Sequence, residues 1–323
     1  MKHLIINLER VKFISNEAFY NLNNLQHLEI MNGHLKCLKP NLFKCMCNLK
    51  CLILNSNKIC SFNRNHFKEL KNIEEIFMNH NNIQKFDFSN KYGPSKAERI
   101  TSPLKHLDLN SNKIKVLRKH SFQIFSNLTN LDLSQNNLNI IENLVFVDLK
   151  NLTKLNLGSN RISIIKAQSF DGLDSLKELY LNSNKIFQLD SEIFLKLKNL
   201  IVLDLSENSI FHENIFSNLF SLKFLNLACN NFVQINYSTF SNTPNLIELN
   251  LFKNQIKVLD THAFSNMPKL KRLILLENAI DDFMENAFEG LLDLELLIID
   301  QKLMQIIKYN AFLKNSTFLK IEC

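Results

Sequence analysis

The sequence predicts an α/β repeat fold, a horseshoe-like solenoid with a parallel sheet on its concave face. Loops and short helical turns are expected to return along the convex face. Two periodic patterns predict this fold. Apolar residues recur with the spacing L-x-x-L-x-L-x-x-N-x-L, as in residues 128–138, and phenylalanine recurs once in nearly every copy. Fixed periods of roughly 20–50 residues are typical of solenoids.

Within one copy, the leucines and the asparagine have different structural roles. Leu128, Leu131 and Leu133 are expected to point into the core from a short strand and its entry, and the strand is expected at positions three to five of the repeat. Asn136 follows the strand, and its amide should bond backbone groups of neighbouring coils, because a buried bend needs such partners. Side chains alternate along a strand, so Asn130 and Asp132 should face solvent. Function is expected at these variable outward positions.

This register divides the chain into thirteen full repeats and a partial fourteenth. Their first residues are Met1, Leu25, Leu49, Ile73, Leu104, Leu128, Leu152, Leu176, Leu200, Leu222, Leu246, Leu270, Leu294 and Phe318. Most repeats have 24 residues, but the one at Ile73 has 31 and the one at Leu200 has 22. The phenylalanine column predicts a spine of rings in the core. It comprises Phe19, Phe43, Phe67, Phe122, Phe146, Phe170, Phe194, Phe216, Phe240, Phe264, Phe288 and Phe312.

The spacing is that of a leucine-rich repeat. The 24-residue form with phenylalanine on the return side resembles the extracellular class, which includes Toll-like receptor ectodomains and related adhesion and matrix proteins. This resemblance implies a non-catalytic protein-recognition module, a fragment of the ligand-binding ectodomain of a Toll-like or related receptor. It also implies an extracellular or cell-surface location. A secreted or membrane-anchored adhesion or matrix solenoid and an intracellular interaction scaffold remain alternatives.

One solenoid is expected over residues 1–323, without its caps. Met1 already holds the first core position, and the final repeat stops within a strand. The signal segment and cysteine-rich caps usual in the resembled family are not found, so the chain is interpreted as a fragment of a longer protein or the product of an incomplete gene model. No stretch of about 18 apolar residues is long enough to span a membrane.

The long repeat carries an insertion at about residues 87–103. The apolar pattern lapses there, and Gly93, Pro94 and Pro103 fall within it. We predict a protruding, protease-sensitive loop. It is interpreted as a tolerated surface insertion, with a ligand contact as the alternative.

Charge and motifs indicate a binding protein. The net charge is +7, but lysines and arginines form no run of five, which favours a basic soluble surface over a nucleic-acid site. There is no glycine-rich phosphate loop, nucleophile elbow or H-E-x-x-H motif, so neither an enzyme nor a cofactor is expected.

The expected partner is a protein ligand or co-receptor on the concave face, or a second copy in a homodimer. No nucleic acid and no membrane contact within this segment are expected.

Five of the seven cysteines lie between Cys37 and Cys60. Cys45, Cys47 and Cys51 superficially suggest a metal site, but the register puts the first two on the outer side and Cys51 on the strand. Cys37 and Cys60 hold neighbouring positions on adjacent coils. They are predicted to form a disulfide in an oxidising compartment and otherwise to remain free thiols.

Four sequons mark candidate glycosylation sites at Asn127, Asn151, Asn236 and Asn315. The chain has 47 asparagines, so chance alone predicts about as many sequons. The sequons therefore carry little information about the cellular compartment.

The candidate ligand-binding residues lie on the outward positions of the later repeats. Earlier repeats have small or polar residues there, whereas the later ones have exposed aromatic, aliphatic and cationic residues. The candidates are Tyr180, Phe224, Phe252, Lys253, Arg272, Ile274 and Leu276. Such a cluster resembles a protein-binding hot spot. The alternative is a patch covered by further repeats, a cap or a dimer partner.

Overall fold

The structure is a computed structural model in which the chain divides into two compact units. The first unit comprises Met1–Ile162 and Gln168–Leu176, and the second comprises Ser163–Ala167 and Lys177–Cys323. The structure describes residues 1–7, 9, 11–39, 41–67, 69–86, 88, 102–211, 215–216, 218–303 and 320–322. The expected single solenoid over the whole chain stays a prediction.

Within its described residues, the first unit contains eight strands and one short helix. They are β1 (His3–Asn7), β2 (His27–Met31), β3 (Cys51–Ile53), α1 (Arg64–Phe67), β4 (Glu75–Phe77), β5 (His106–Asp108), β6 (Asn130–Asp132), β7 (Ile140–Ile141) and β8 (Lys154–Asn156). Strands β1 to β6 and β8 form one parallel sheet in that order. Each strand residue lies opposite the residue at the same position of the next repeat, as Leu131 does opposite Leu155.

The second unit has the same organisation. It contains β9 (Ile164–Ile165), β10 (Glu178–Tyr180), β11 (Val202–Asp204), β12 (Phe224–Asn226), β13 (Gln234–Ile235), β14 (Glu248–Asn250), β15 (Val258–Leu259), β16 (Arg272–Ile274), β17 (Leu296–Ile298), a 3-10 helix (Gln301–Leu303) and β18 (Lys320–Glu322). Strands β10, β11, β12, β14, β16, β17 and β18 pair in parallel in that order. Strands β13 and β15 form a separate parallel pair.

These elements confirm the predicted fold class. The main strands fall at positions three to five of each repeat, and the only α-helix among the described residues, α1, has four residues. In each three-residue strand from β3 to β17 the middle residue is buried, whereas its two neighbours are half-buried or exposed. The alternation of a strand therefore separates a core face from a solvent face in these repeats.

The predicted phenylalanine spine is present in the core. Phe122 and Phe146 are fully buried, with ring centroids 5.8 Å apart on consecutive coils. In the second unit, the rings of Phe216 and Phe240 stack at 5.5 Å. Phe312 lies outside the described residues. The large rings fill the width of the coil behind the strands, so each repeat buries its apolar surface on its neighbours.

The asparagine ladder also forms as predicted. The Nδ2 group of Asn136 donates to the carbonyls of Leu109, at 2.9 Å, and of Leu133, at 3.1 Å. Its Oδ1 accepts the N–H of Ile114 at 2.9 Å. The side chain thus joins two adjacent coils and satisfies backbone groups that the strand no longer pairs.

Among the described residues, a left-handed residue precedes the ladder position in eleven repeats. These residues have φ between 52° and 56° and are Asn32, Ser56, His80, Ser111, Gln135, Ser159, Ser183, Glu207, Cys229, Lys253 and Glu277. None is β-branched, consistent with the cost of this conformation for branched side chains. The turn ends the strand and directs the following asparagine inward.

Most of the predicted insertion lies outside the described residues, but the structure describes Phe88 near its start and Ser102 near its end. Phe88 is fully buried, and its ring packs against those of Phe86 and Phe125, each at 4.9 Å. Ser102 is also buried, and its N–H donates to the carbonyl of Ile124 at 2.8 Å. Phe88 and Ser102, which the sequence pattern assigned to the loop, therefore belong to the core.

Candidate functional site

The candidate site is the solvent face of the strands in the second unit. Here the outward residues at positions three and five form two rows across neighbouring strands. The first row runs from Val202 through Phe224 and Glu248 to Arg272, each residue directly opposite the next. Because adjacent strands lie about 4.8 Å apart, side chains in one row touch their neighbours.

Four of the predicted ligand-binding residues lie within these rows. Phe224 is 41% exposed on β12, and Arg272 is exposed on β16. Tyr180 and Ile274 are half-buried at the ends of β10 and β16. Glu248 stands between Phe224 and Arg272 and pairs with the guanidinium, Oε1 to Nη1, at 3.7 Å.

The other three candidates follow the strand ends. Phe252 and Leu276 are half-buried, and Lys253 is exposed in the left-handed turn with φ of 54°. The N–H of Lys253 donates to the carbonyl of Leu276 at 2.9 Å. The two turns are therefore adjacent, and Lys253 and Leu276 flank one edge of the strand face.

A depression of about 160 Å³ opens on this face between Tyr180 and Phe224. Asp204, Asn226, Glu248 and Asn250 also line it. The sequence interpretation missed these polar residues because it selected aromatic, aliphatic and cationic side chains. The signal was present, since all four occupy the same outward positions of the repeat as the chosen residues.

Asp204 is held in a fixed orientation. Its Oδ1 accepts hydrogen bonds from the N–H of Ser206 at 2.9 Å and from the Ser206 hydroxyl at 2.6 Å. Within the described part of the chain, no hydrogen bond involves Asp204 Oδ2. One carboxylate oxygen is therefore anchored, and the other remains an open acceptor beside the depression.

A second depression, of about 220 Å³, lies on the strand face of the first unit. Its lining includes Asp108 and Asp132 together with the cationic Lys154 and the imidazole of His106. Asn79 Nδ2 donates to Asp108 Oδ2 at 2.7 Å, and Asn156 Nδ2 donates to Asp132 Oδ2 at 3.1 Å. The carboxylates of this depression are thus already bonded to neighbouring side chains.

Burial raises the pKa of Asp108 above its ordinary value. The hydrogen bonds from Asn79 and from the Asn110 N–H oppose the shift, and the neighbouring charge of Asp132 reinforces it. A like charge on the adjacent strand disfavours the ionised form of Asp108. Ionised Asp108 on this face therefore lowers the stability of the folded chain.

Cys51 lies on the same face in β3, between His27 and Glu75 on the flanking strands. Burial and the carboxylates of Glu75 and Glu29 raise the pKa of its thiol to about 12. A thiol held neutral in this way is a poor nucleophile and a poor metal ligand. No group of three His, Cys, Asp or Glu side chains in the described ranges is arranged to hold a metal ion.

Comparison with known protein families identifies the repeat. A family model described as "Leucine rich repeat" matches residues 102–162, 126–186, 174–232, 220–280 and 244–303, together more than half of the chain. The chain belongs to the leucine-rich-repeat family. A second model, "BspA type Leucine rich repeat region (6 copies)", matches residues 1–98. No curated protein sequence matches the chain.

Solved leucine-rich-repeat structures share the fold. The leucine-rich-repeat domain of APL1B is 19% identical, with a TM-score of 0.73 over 99% of this chain and 88% of that one. Toll from the Drosophila Toll–Spatzle complex is 22% identical, with a TM-score of 0.71 over 95% of this chain and 45% of that one. TLR13 from a TLR13–ssRNA13 complex is 22% identical, with a TM-score of 0.68 over 98% of this chain. The chain spans about half the length of TLR13, 52%.

Because the chain belongs to the leucine-rich-repeat family, it is a protein-interaction module. At these identities the solved structures establish the fold alone. No helix within the described ranges has the length and apolar character needed to cross a membrane.

Cys37 and Cys60, the two thiols predicted to pair, lie next to each other on adjacent coils. Cys37 and Cys60 are both exposed and free. Partial desolvation of its sulfur, followed by a hydrogen bond and charge interaction with Cys60, raises the pKa of the Cys37 thiol. The adjacency inferred from the repeat register is thus confirmed, and the disulfide stays a prediction.

Two of the four sequon asparagines, Asn127 and Asn151, take part in contacts between coils. The Nδ2 groups of Asn127 and Asn151 donate to the carbonyls of Ser102 and Ser126, each at 2.9 Å. Asn236 Oδ1 accepts the N–H of Ser238 at 2.9 Å. Asn315 lies outside the described residues. Glycosylation of these sites stays a prediction.

Proposed function

We propose that this chain is a non-catalytic protein-recognition module, the ligand-binding part of a Toll-like or related receptor. Its recognition surface is the solvent face of the second unit. This surface comprises the predicted ligand-binding residues Tyr180, Phe224, Phe252, Lys253, Arg272, Ile274 and Leu276. The main observation that supports this proposal is the continuous row of outward side chains on β11, β12, β14 and β16.

The chemistry of this surface supports protein recognition. Phe224 exposes 41% of its surface in the middle of a sheet, and half-exposed Phe252 and Ile274 lie on the next two coils. Covering apolar surface gains roughly 25 cal/mol per Å², so a partner stabilises the complex by burying these side chains. Aromatic residues and arginine dominate the binding energy of protein interfaces. This surface has residues of both kinds, among them the aromatic Phe224 and the arginine Arg272.

Charge favours a protein over a nucleic acid as the partner. Nucleic-acid binding depends on clustered cations that neutralise phosphates. Glu178, Asp204 and Glu248 instead present carboxylates on this face. The TLR13–ssRNA13 complex among the structural neighbours nevertheless makes RNA an outcome that the test must distinguish.

The proposed location is extracellular or at the cell surface, on the strength of neighbours such as Toll and TLR13. An adhesion or matrix solenoid would use the same strand face. Receptor and adhesion roles would therefore share this recognition surface, and only a receptor would pass on a signal after binding.

A second copy of the chain is the remaining candidate protein partner. The oligomeric state of the chain in solution tests this alternative.

Selection from a displayed peptide library on the immobilised chain tests the proposal. Peptides that bind should lose affinity for Phe224→Ala, Phe252→Ala and Arg272→Ala, with thermal stability unchanged. Phe187→Ala is the matched control, since Phe187 is 49% exposed but lies outside the strands. It should leave binding unchanged.

Two results would overturn the proposal. In the first, selected peptides bind all three strand-face variants as tightly as the native chain. In the second, they lose affinity only for Phe187→Ala. Binding of single-stranded RNA that the same three changes abolish would replace a protein ligand with a nucleic acid.

A further inference from the structure

We infer that the depression between Tyr180 and Phe224 receives an arginine side chain of the partner protein. The inference rests on the proposed recognition function and specifies the chemistry of its ligand. The guanidinium would bind Asp204 at the floor and contact the two aromatic rings at the sides. This acidic-aromatic pocket is defined by Tyr180, Asp204, Phe224 and Glu248.

The dimensions of the pocket fit such a group. Its volume of about 160 Å³ is large enough to hold several water molecules. A guanidinium has four heavy atoms and enters such a space without rearrangement of the strands. Asp204 lies directly opposite Tyr180 on one side and Asn226 on the other, and Phe224 belongs to the same strand as Asn226. A cation bound to Asp204 therefore lies near both rings.

The charge of the pocket is distinct from that of the molecule. The chain carries a net charge of +7, yet the described residues that line the pocket include Asp204 and Glu248 and no lysine, arginine or histidine. Arg272 partly neutralises Glu248 from the next strand, at 3.7 Å. Asp204 is left as the principal negative charge, with Ser206 holding one of its oxygens and Oδ2 open.

The depression of the first unit provides the contrast. Asp132 occupies the same repeat position as Asp204, and its Oδ1 likewise accepts the Ser134 N–H at 2.8 Å. Its other oxygen is bonded to Asn156, and Lys154 lines the same space. That site already contains its own cation and donors. Of these two depressions, it is the one in the second unit that combines an open carboxylate oxygen with the exposed ring of Phe224.

Arginine suits this arrangement better than lysine. Its planar guanidinium donates several hydrogen bonds to a carboxylate while its face stacks on an aromatic ring. The amide oxygens of Asn226 and Asn250 at the rim already accept the N–H groups of Ala228 and Phe252, at 3.2 and 2.9 Å, so the carboxylate of Asp204 is the acceptor for the guanidinium. The quadrupole of an aromatic ring attracts a cation over its face, so Tyr180 and Phe224 add to the attraction of the carboxylate.

The test uses the peptide acetyl-Gly-Arg-Gly-amide as the probe. It is titrated into the full chain with ¹³C-labelled phenylalanine and tyrosine rings, and chemical shifts are followed by NMR. We expect shifts at Phe224 and Tyr180 with dissociation constants of about millimolar, as suits a single side chain. The same peptide with citrulline is isosteric but uncharged and should bind at least about fivefold more weakly.

Variants separate the contributions of charge and ring. Asp204→Asn keeps an oxygen for Ser206 and should weaken the arginine peptide about five- to tenfold. Phe224→Leu should weaken it about two- to fivefold. Asp132→Asn, the matched change in the first unit, should have no effect. Equal binding of the arginine and citrulline peptides by the native chain overturns the inference, as does an Asp132→Asn effect equal to that of Asp204→Asn.

The test is independent of the test of the proposed function. If library peptides bind the strand face but the arginine probe does not, the pocket assignment fails and protein recognition stands. If the arginine probe binds but no library peptide depends on Phe252 or Arg272, the recognition surface fails although the pocket exists.

Discussion

Single asparagine side chains join the coils of this chain. Asn136 satisfies the carbonyls of two adjacent coils and one N–H, and Asn160 repeats the arrangement one coil later. The sequence predicted this role because the asparagine recurs at one fixed spacing. The left-handed residues before the ladder were not predicted, since serine, glutamate, lysine and cysteine share no obvious preference for that conformation.

Asn136→Ala should lower the free energy of unfolding by at least about 2 kcal/mol, because each buried backbone group left unpaired costs roughly 1–3 kcal/mol. Urea denaturation followed by circular dichroism measures the change. Asn139→Ala, at an exposed position three residues later, is the control and should stay within about 0.5 kcal/mol of the native chain. Equal effects of the two variants would contradict the role assigned to the ladder.

The thiol of Cys51 should resist alkylation at pH 8, because its pKa of about 12 leaves almost no thiolate. Cys47 is exposed and serves as the internal comparison. Iodoacetamide labelling under native conditions, followed by peptide mapping, should modify Cys47 well before Cys51. Faster labelling of Cys51 would show that burial and the carboxylates of Glu75 and Glu29 do not suppress its ionisation. In that case the Glu75→Gln variant would leave its rate unchanged.

At the scale of the element, two turns depend on glycine, one at Gly172 and the other at Gly290. Gly172 has φ of 92°, and a Cβ there would lie 2.7 Å from the backbone of Val147 on the preceding coil. Gly172→Ala should therefore destabilise the first unit by more than about 1–2 kcal/mol, since the left-handed strain alone costs that much. Thermal unfolding measures the loss. An unchanged melting temperature would show that the two coils separate at low cost.

The strands β5 and β6 should give the first unit a pH-dependent stability. Because the folded-state pKa of Asp108 is raised, its contribution to stability is complete below its ordinary pKa and is lost as the pH rises through the raised value. Asp108→Asn removes this loss while keeping an oxygen for the Asn110 N–H. The melting temperature of the variant minus that of the native chain should increase with pH across this range. A difference independent of pH would contradict the assignment.

Repeat spacing determines which elements could be predicted. Strand positions and the phenylalanine spine follow from strict recurrence, because every coil must bury the same face. The acidic-aromatic pocket depends instead on lateral neighbours, such as Asp204 beside Tyr180, which are separated by a whole repeat in sequence. Outward positions vary freely, so only the paired register shows which of their side chains meet.

At the scale of the molecule, the buried core and the proposed recognition surface lie on opposite faces of the same strands. Leu225 is buried in the core, while its neighbour Phe224 faces solvent. Substitutions on the solvent face can therefore alter partner choice with little effect on folding. This separation explains how a family with one repeated core presents many different surfaces.

Site-specific photo-crosslinking tests the central claim most directly. A photoreactive phenylalanine analogue is placed at Phe252 on the strand face or at Phe187 outside the strands, and the chain is exposed to extracellular fluid from its source. We predict an adduct with a single identifiable polypeptide from position 252, absent from position 187 and reduced by Arg272→Ala. The same adduct from position 187 with none from position 252, or a nucleic-acid adduct at position 252, would contradict the claim that this face recognises a protein.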